Sequence, residues 1–513
     1  MQLSRQSIAA VAIMLGAFMA LAGINITNTA TELLQARIGA TLREMTLITS
    51  SYIIAEIAAM PLMPLLMRRL GLKRLVVLVL CGFMLASIAC AHANSLNTLI
   101  ASRIVQGAFG GILLPLVHTS IKLLLPQQQH AAAFGVFSVF ASLAPVAGPS
   151  FAGLLSAADY PWLFYINIPL GMAALTGLLF ALPGPNNHGQ VTEHRNNFLD
   201  AFGIGLLSLS LGSLVFALEH GVEREWLSDQ TIRFSLVCGF VGLIYICYLQ
   251  TQLRQPVLNV RLLASFRFAL ICLASFMAGI VIYGFVYLIP YYLISVHSYS
   301  PAQVAQVILM AAVPQLLMLP LMIKYAPRLN PWLAIVAGAL LCAVSTALCS
   351  QMTTDFAGEQ FLWPQLIRVV AVPLLIMPLT LLSMQVVSDQ DAPSAAILFN
   401  VARNLGGAVG VAGLVTYVEH YKVVFFQQSL LLFNQHTMAL SNHQQKDPTA
   451  SQLTEQLSQH SSIWAFNGAF ALLSISLLLM ATLFLALYLF GRKHNSLSLS
   501  PQLSPPQART GST

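Results

Sequence analysis

Charge is the property that this sequence has least of. Asp, Glu, Lys and Arg make up 8% of its 513 residues, whereas soluble globular chains carry about 25%. A chain this poor in charge cannot cover a water-facing surface, which excludes an ordinary soluble protein. The sequence therefore predicts that lipid contacts most of the outer surface.

Signatures of catalysis and of ATP use are also missing. The sequence contains no HExxH, GxSxG or GxxxxGK[ST] motif, which disfavours a metalloprotease, a serine hydrolase and an ATP-driven pump. The seven cysteines all lie in apolar runs, and neither they nor the twelve histidines show metal-ligand spacing. We predict no metal, no cofactor and no enzymatic activity.

Long apolar runs are what the sequence has in abundance. Hydrophobic residues make up 57% of the chain, and the mean hydropathy is +0.77. A span needs about 20 apolar residues and must be helical, because lipid leaves no backbone partner outside the helix. We predict an all-α integral membrane protein, its first span retained and not a signal peptide. Its fourteen spans cover approximately 8–30, 47–67, 74–93, 97–117, 132–155, 162–182, 199–218, 232–252, 267–292, 301–323, 332–350, 361–384, 393–417 and 464–490.

The basic residues indicate the orientation of these spans. With both termini in the cytoplasm, 15 of the 24 Lys and Arg lie in cytoplasmic segments, six lie outside and three lie within spans. Cytoplasmic loops of membrane proteins carry such an excess. We therefore predict cytoplasmic termini, and the net charge of +7 is explained without nucleic-acid binding.

A weak internal repeat divides the chain. Span four contains an Arg near its start and a later Pro-Leu, at Arg103 and Pro115, and span twelve has the same order at Arg368 and Pro378. Transporters with parallel repeats show such corresponding helices. We predict a six-helix bundle at 1–182, two inserted helices at 183–260, a second six-helix bundle at 261–490 with a polar outward loop at 419–463, and a disordered cytoplasmic tail at 491–513.

Several motifs occur in a fixed order along these spans. They are R-x-x-Q-G at 103–107, an antiporter-type segment with Gly148, Pro149 and Gly153, and W-x-F-x-I-N-x-P-x-G at 162–171. Together they resemble major facilitator drug:proton antiporters with fourteen spans, of the EmrB/QacA type. The resemblance implies the major facilitator fold, alternating access and proton-driven multidrug efflux across a bacterial inner membrane. It also implies a periplasmic adaptor (a membrane fusion protein) and an outer-membrane channel as partners.

Three ionisable residues within spans are the candidates for proton coupling: Glu56, Arg103 and Arg403. An arginine at the centre of a span costs about 2.5–3.5 kcal/mol on insertion scales, so it persists mainly where it pairs or borders a polar cavity. A buried carboxyl favours its neutral form, which makes Glu56 able to load a proton. The alternatives are snorkelling of Arg103 and a static ion pair for Glu56.

Polar and aromatic side chains on several spans are the candidates for a drug cavity. Aromatic walls suit bulky hydrophobic cations or neutral drugs, although an interfacial aromatic belt is an alternative for the tyrosines nearest the span end. The candidate cavity residues are Asn25, Asn28, Gln106, Tyr283, Tyr287, Arg368 and Asn400.

The sequence also departs from the family pattern. Gly23 stands where the first helix of the family commonly has an acid, and Pro64 and Arg68 replace a Gly and an Asp of the loop after span two. Gly71 and Arg74 of that loop remain as gating candidates. Fewer carboxylates are then left for proton coupling, which strengthens the case for Glu56.

Two rival functions remain open at this point. One keeps the fold and changes the cargo to an endogenous metabolite or siderophore. The other is a membrane-embedded enzyme or sensor, which would need a metal or nucleophile constellation within the spans.

Overall fold

The computed structural model describes residues 5–29, 38–39, 41–155, 160–182, 197–252, 256, 258–440 and 450–493. Side chains are described in these ranges except at 25–29, 42–43, 45, 147–155, 197–201, 301, 432–440, 450–453 and 490–493. The described part of the chain is built of α-helices with short 3₁₀ turns and contains no strand. The helices are α1 (Arg5–Thr29), α2 (Leu42–Ala59), α3 (Leu62–Ala91), α4 (Leu96–Leu124), α5 (Gln127–Leu155), α6 (Trp162–Tyr165), α7 (Asn167–Ala181), α8 (Asn197–His220), α9 (Gln230–Gln252), α10 (Phe266–His297), α11 (Pro301–Leu309), α12 (Ala312–Tyr325), α13 (Pro331–Cys349), α14 (Leu362–Gln385), α15 (Ala392–Leu440) and α16 (Ala450–Lys493).

Among the described residues, thirteen helical segments are long and apolar enough to cross a membrane. A fourteenth, shorter apolar segment covers Thr46–Ala59, and helix resumes after it at Leu62. Gly71 then breaks α3 with φ 74° and ψ 164°, a left-handed conformation that glycine adopts without strain. Residues 42–70 therefore form the second span and 72–91 the third, which confirms the predicted all-α membrane fold.

Two predicted spans are interrupted in the structure for the same reason. The second span breaks at Met60 and the tenth at Met310, between α11 and α12. A proline lies four residues beyond each break, at Pro64 and Pro314. Proline has no N–H and cannot bond the carbonyl four residues earlier, so the helix is broken at that carbonyl.

The described helices pack as two bundles with a pair of helices at their side. The core of the first bundle joins α1, α2, α3, α4, α5 and α7, and that of the second joins α10, α13, α14, α15 and α16. The pair α8 and α9 pack on each other, and α8 also contacts α2 and α15. The pair therefore lies beside the join between the bundles, and Leu207, Leu211 and Val215 of α8 pack into the core of the first bundle.

The bundles meet closely at the end of the molecule that carries Lys122. The Lys122 ammonium, with 8% of its side chain exposed, lies 3.6 Å from Asp389 and donates hydrogen bonds to the carbonyls of Met384, at 2.6 Å, and of Val387. These carbonyls end α14, where a helix leaves acceptors unsatisfied and carries partial negative charge. Lys122 therefore caps a helix of the opposite bundle and closes this end.

The last two helices extend well past a bilayer. Helix α15 has 49 residues and α16 has 44, so they are about 73 and 66 Å long at 1.5 Å per residue, against a hydrocarbon core of about 30 Å. Phe425 and Trp464 join them, with ring centroids 6.2 Å apart. The polar segment 419–463 was expected to be an outward loop with an amphipathic helix around 452–459. Instead, residues 419–440 and 450–463 continue the two helices, while 441–449 and 494–513 lie outside the described residues.

Candidate functional site

Arg103 is fully buried and held by three elements of the first bundle. Its Nη1 donates to Oε1 of Gln106 at 2.7 Å and to the carbonyl of Gly23 at 3.4 Å. Its guanidinium lies 4.2 Å from the ring centroid of Tyr52, which is cation–π distance. Gly23 has no side chain of its own to pair with Arg103, so its backbone carbonyl provides the acceptor on α1.

The motif residues around Arg103 form one hydrogen-bonded network. Nε2 of Gln106 donates to Oγ of Ser87 at 2.7 Å, and Nδ2 of Asn167 approaches the same oxygen at 3.3 Å. Arg103 and Gln106 come from the R-x-x-Q-G motif and Asn167 from the W-x-F-x-I-N motif. The two motifs, separate in sequence, therefore meet at Ser87 on α3.

Glu56 is buried on α2 with 3% of its surface exposed. Its Oε1 is enclosed and has no hydrogen-bond partner among the described residues. The positive charges that act on it most are Arg403 of the second bundle and Arg103 of the first. The carboxyl group is thus within electrostatic reach of one arginine from each bundle, in a site that gives its charged form little solvation.

A second polar cluster joins the bundles about one helical turn from Lys122. Asn400 on α15 accepts a hydrogen bond from Arg403 at 2.9 Å and donates one to the carbonyl of Ala396 at 2.7 Å. Its Nδ2 also lies 3.1 Å from Nδ1 of His118 on α4. These contacts fix the orientation of the Asn400 amide and place His118 opposite Arg403.

His118 is enclosed by phenyl rings. The rings of Phe137 and Phe399 lie edge-on to the imidazole at 5.0 and 5.8 Å, and that of Phe134 is stacked at 6.1 Å. Its Nε2 has no hydrogen-bond partner in the described structure. The only polar contacts recorded for the ring are therefore at Nδ1, with Asn400 and with the Leu114 carbonyl at 3.0 Å.

The neighbouring Asn404 extends this cluster. It accepts a hydrogen bond from the hydroxyl of Tyr283 at 3.1 Å, and its Nδ2 lies 3.9 Å from the sulfur of Met60 in the first bundle. Met60 is the residue at which the second span breaks. Tyr283 thus points to the cluster, whereas Tyr287, one turn further along α10, is 42% exposed.

Glycines allow the helices that carry these residues to touch backbone to backbone. A Cβ at Gly111 on α4 would collide with the carbonyl of Glu56, and one at Gly107 with the carbonyl of Tyr52. In the second bundle, a Cβ at Gly279 would collide with the carbonyl of Arg403. Small residues permit such close helix contact in membranes, and here they set the positions of Glu56 and Arg403.

Arg368, the candidate on α14, lies apart from both clusters. Its Nη2 is 3.4 Å from Oε1 of Gln365, and its guanidinium is 5.1 Å from the ring centroid of Phe285. Together with Gln365 it lines a small cavity between α5 and the second bundle.

The gating candidates occupy the turn that the sequence predicted. Gly71 makes the turn between spans two and three, and Arg74 is exposed beside it. Arg68, which replaces the Asp of the family pattern, donates to the carbonyl of Pro256 at 3.1 Å. This contact ties the turn to the segment between α9 and α10.

Five sequence candidates cannot be placed by their side chains. Asn25 and Asn28 lie on α1, and Gly148, Pro149 and Gly153 lie on α5, but the surroundings of these positions fall outside the described part of the chain. Conversely, the sequence interpretation missed Ser87, His118 and Lys122. His118 and Lys122 could have been found as ionisable residues in an apolar helix, whereas a buried serine gives no such signal.

Comparison with known proteins agrees with this architecture. A model of the Major Facilitator Superfamily matches residues 13–411. The chain is 27% identical over 407 residues to the colistin resistance protein EmrB of Acinetobacter baumannii, covering 78% of each chain. It is 27% identical over 482 residues to the multidrug export protein EmrB of Escherichia coli K12, covering 90% of this chain and 93% of that protein.

Among solved structures, the human organic anion transporter MFSD10 matches in fold. The TM-score is 0.58 with 14% sequence identity, covering 92% of this chain and 99% of that one. At this identity the likeness concerns the fold alone. The family match, the EmrB relatives and the helical architecture agree with one another, and they exclude the membrane-embedded enzyme: the chain belongs to the Major Facilitator Superfamily and is an EmrB-like multi-pass membrane transporter.

Proposed function

We propose that this protein is a proton-coupled multidrug exporter of the bacterial inner membrane that works by alternating access. The observation that carries the proposal is Glu56, a buried carboxyl within electrostatic reach of one arginine from each bundle, with one oxygen lacking a partner among the described residues. Carboxyls of this kind within membrane spans mark proton relays. The EmrB relatives, one of them named as a multidrug export protein, support efflux as the transport direction.

Glu56 links protonation to the arrangement of the bundles. When neutral, it needs little solvation and makes only weak interactions with Arg103 and Arg403. When ionised, it attracts both arginines and favours the arrangement that brings Arg403 close or admits water. A proton taken up from outside resets the pump, and a hydrophobic or amphipathic compound enters from the cytoplasm or the inner leaflet.

The available driving force limits the coupling. One elementary charge crossing 100 mV yields about 2.3 kcal/mol, roughly a fiftyfold gradient. One proton exchanged for a neutral compound uses this energy fully. One proton exchanged for a monovalent cation moves no net charge, so it draws only on the pH difference.

The orientation and partners follow from the same proposal. The Lys122 end faces the cytoplasm, as the distribution of basic residues favours, and residues 419–463 project into the periplasm. The helical parts of this segment, 419–440 and 450–463, are long enough to dock a periplasmic adaptor, which would connect to an outer-membrane channel.

The test is transport by the full chain in proteoliposomes with an imposed pH gradient. Wild-type protein is expected to move a hydrophobic dye against its gradient only when the pH gradient is present. Glu56→Gln keeps the shape of the side chain but removes its titration, so it should abolish uphill transport. Glu359→Gln, an exposed acid on the 3₁₀ turn before α14, is the matched control. Uphill transport by Glu56→Gln at the wild-type rate would show that the proton is carried elsewhere.

A further inference from the structure

The turn between α8 and α9, residues 221–229, begins from a helix that is anchored to the first bundle. Helix α8 packs against α2, where a Cβ at Gly212 would lie 3.5 Å from the side chain of Ala58. Its apolar side chains enter the core of the first bundle. At the end of α8, Nε2 of His220 lies 3.2 Å from Oγ of Ser50 on α2. The start of the turn therefore moves with the first bundle.

Trp226 of this turn contacts the second bundle. Its Nε1 donates a hydrogen bond to Oγ1 of Thr416 on α15 at 3.2 Å. The Thr416 hydroxyl donates its own hydrogen to the carbonyl of Ala412 at 2.7 Å, so its oxygen is free to accept from the indole, which can only donate. Thr416 lies about 36 Å along α15 from Ala392, near the Lys122 end, at 1.5 Å per residue. The bond therefore links the bundles at the opposite end of the molecule.

The backbone of the turn is strained where it presents Trp226. Glu225 has φ 56° and ψ 36°, and Trp226 has φ 51°, a left-handed conformation that is rare for bulky residues. Such strain persists where the surroundings fix the conformation, and it clusters at clamps and switch regions. The backbone N–H of Trp226 donates to the carbonyl of Gly221 at 2.7 Å, and a Cβ at Gly221 would lie 2.6 Å from the indole ring. The ring is therefore held against Gly221 in one position.

The far end of the turn is fixed as well. Oδ1 of Asp229 accepts hydrogen bonds from the backbone N–H groups of Thr231 at 2.6 Å and Ile232 at 3.1 Å, and so caps α9. Its Oδ2 lies 3.9 Å from Nη1 of Arg224. A turn held at these points does not extend to follow Thr416. Because movement of one bundle against the other changes the distance between the turn and α15, the Trp226 bond is specific to one arrangement of the bundles.

We propose that residues 221–229 are a tether that stabilises the arrangement in which the Lys122 end is closed. The hydrogen bond from Trp226 to Thr416 forms in that arrangement and breaks when the bundles move to open the Lys122 end. A contact made in only one of two states shifts the equilibrium towards that state. The strain of the turn is relieved at the same time, which keeps the tether weak enough to release in each cycle. This role of the inserted pair rests on the proposed alternating access.

The experiment is hydrogen–deuterium exchange with mass spectrometry on the purified full chain in detergent, without any gradient. Trp226→Phe removes the N–H donor and keeps an aromatic ring, and Thr416→Val removes the acceptor and keeps the shape. Each should speed exchange at the ends of α4 and α14, beside Lys122, by about twofold to tenfold, the range for one net hydrogen bond. The double variant should exchange no faster than either single variant, because both changes remove the same bond.

A second variant tests the strain. Asparagine adopts the left-handed conformation more readily than glutamate, so Glu225→Asn should stabilise the tether and slow exchange at the Lys122 end. Trp363→Phe, at an exposed tryptophan of α14, is the matched control for loss of an indole and should exchange as wild type does. The tether is overturned if Trp226→Phe speeds exchange only within the turn or equally throughout the chain. Unchanged or faster exchange in Glu225→Asn would also overturn it.

The proposed function is judged separately by the pH-gradient assay. Faster exchange beside Lys122 in Trp226→Phe, together with no uphill dye transport by the wild-type protein, would refute the exporter and leave the tether standing. Uphill dye transport by the wild-type protein, together with unchanged exchange in Trp226→Phe and Thr416→Val, would refute the tether and leave the exporter standing.

Discussion

At the scale of single residues, Nδ1 of His118 lies between a donor, the Asn400 amide, and an acceptor, the Leu114 carbonyl. Asn400 accepts from Arg403 and donates to Ala396, so its Nδ2 faces His118 as a donor. When Nδ1 of His118 is unprotonated it accepts from Asn400, and the Leu114 carbonyl receives no hydrogen bond from the ring. Protonation at Nδ1 would set two donors face to face and would direct the ring towards the Leu114 carbonyl, 3.0 Å away.

We expect His118→Leu to destabilise the join between the bundles. Removing the acceptor leaves a buried amide hydrogen of Asn400 unpaired, at a cost of about 1–3 kcal/mol. The measurement is thermal unfolding of the purified protein. His118→Gln restores an acceptor of similar reach and should recover most of the loss; equal melting of the Leu and Gln variants would mean that the hydrogen bond contributes nothing.

Lys122 leads to a prediction about conformational equilibrium. Lys122→Met keeps the length of the side chain and removes the charge that caps α14, and hydrogen bonds to charged groups are worth about 1.5–3 kcal/mol. The population should therefore shift towards the state open at this end. Distances between spin labels on the two bundles would report the shift, with the exposed Lys324→Met as control. An unchanged distance distribution would show that Lys122 does not hold this end closed.

The site chemistry was predictable from the sequence only as far as residue type. Glu56, Arg103 and Arg403 are recognisable because charge in an apolar run is costly. Their partners are not recognisable, since His118 and Asn400 are 282 residues apart and meet only through packing between bundles. Hydropathy records how apolar a helix is and says nothing about which neighbour each face touches.

At the scale of helices, the apolar runs predicted the spans but not their breaks. The runs at 47–67 and 301–323 read as continuous, yet each contains a proline that ends the helix four residues earlier. Pro64 lies in the second span of the first bundle and Pro314 in the second span of the second bundle. These corresponding breaks support the internal repeat more strongly than the similar Arg and Pro positions in the sequence did. The turn at Gly71 was predicted correctly, since its position follows from the family motif.

Two glycines of α15 allow a matched test of helix packing. A Cβ at Gly406 would collide with the backbone of Phe276 on α10, whereas one at Gly413 would meet nothing within 4 Å. Gly406→Ala should force the helices apart and destabilise the protein by about 1–3 kcal/mol. Gly413→Ala should be neutral or slightly stabilising, because alanine is the better helix former. The measurement is the thermal unfolding of both variants. Equal effects of the two substitutions on stability would contradict the close α10–α15 contact.

At the scale of the whole molecule, the projecting ends of α15 and α16 are separable from the transport core. Replacing residues 424–459 with a short Gly-Ser linker removes the projection and leaves the apolar runs at 393–417 and 464–490 intact. We expect dye transport in proteoliposomes to continue, and drug resistance of intact cells to be lost if an adaptor docks there. Resistance at the wild-type level, with normal amounts of protein in the membrane, would rule out this docking surface.

Helix α15 is one unbroken rod of 49 residues. Asn400 and Arg403 lie close to its Lys122 end, and the other end stands clear of the bilayer. A rod this stiff behaves as a lever: a tilt of a few degrees near the arginine displaces the far tip by several ångströms. A protein bound to the tip would be displaced at each conformational change of the transporter. By reciprocity, its binding would oppose or favour that conformational change.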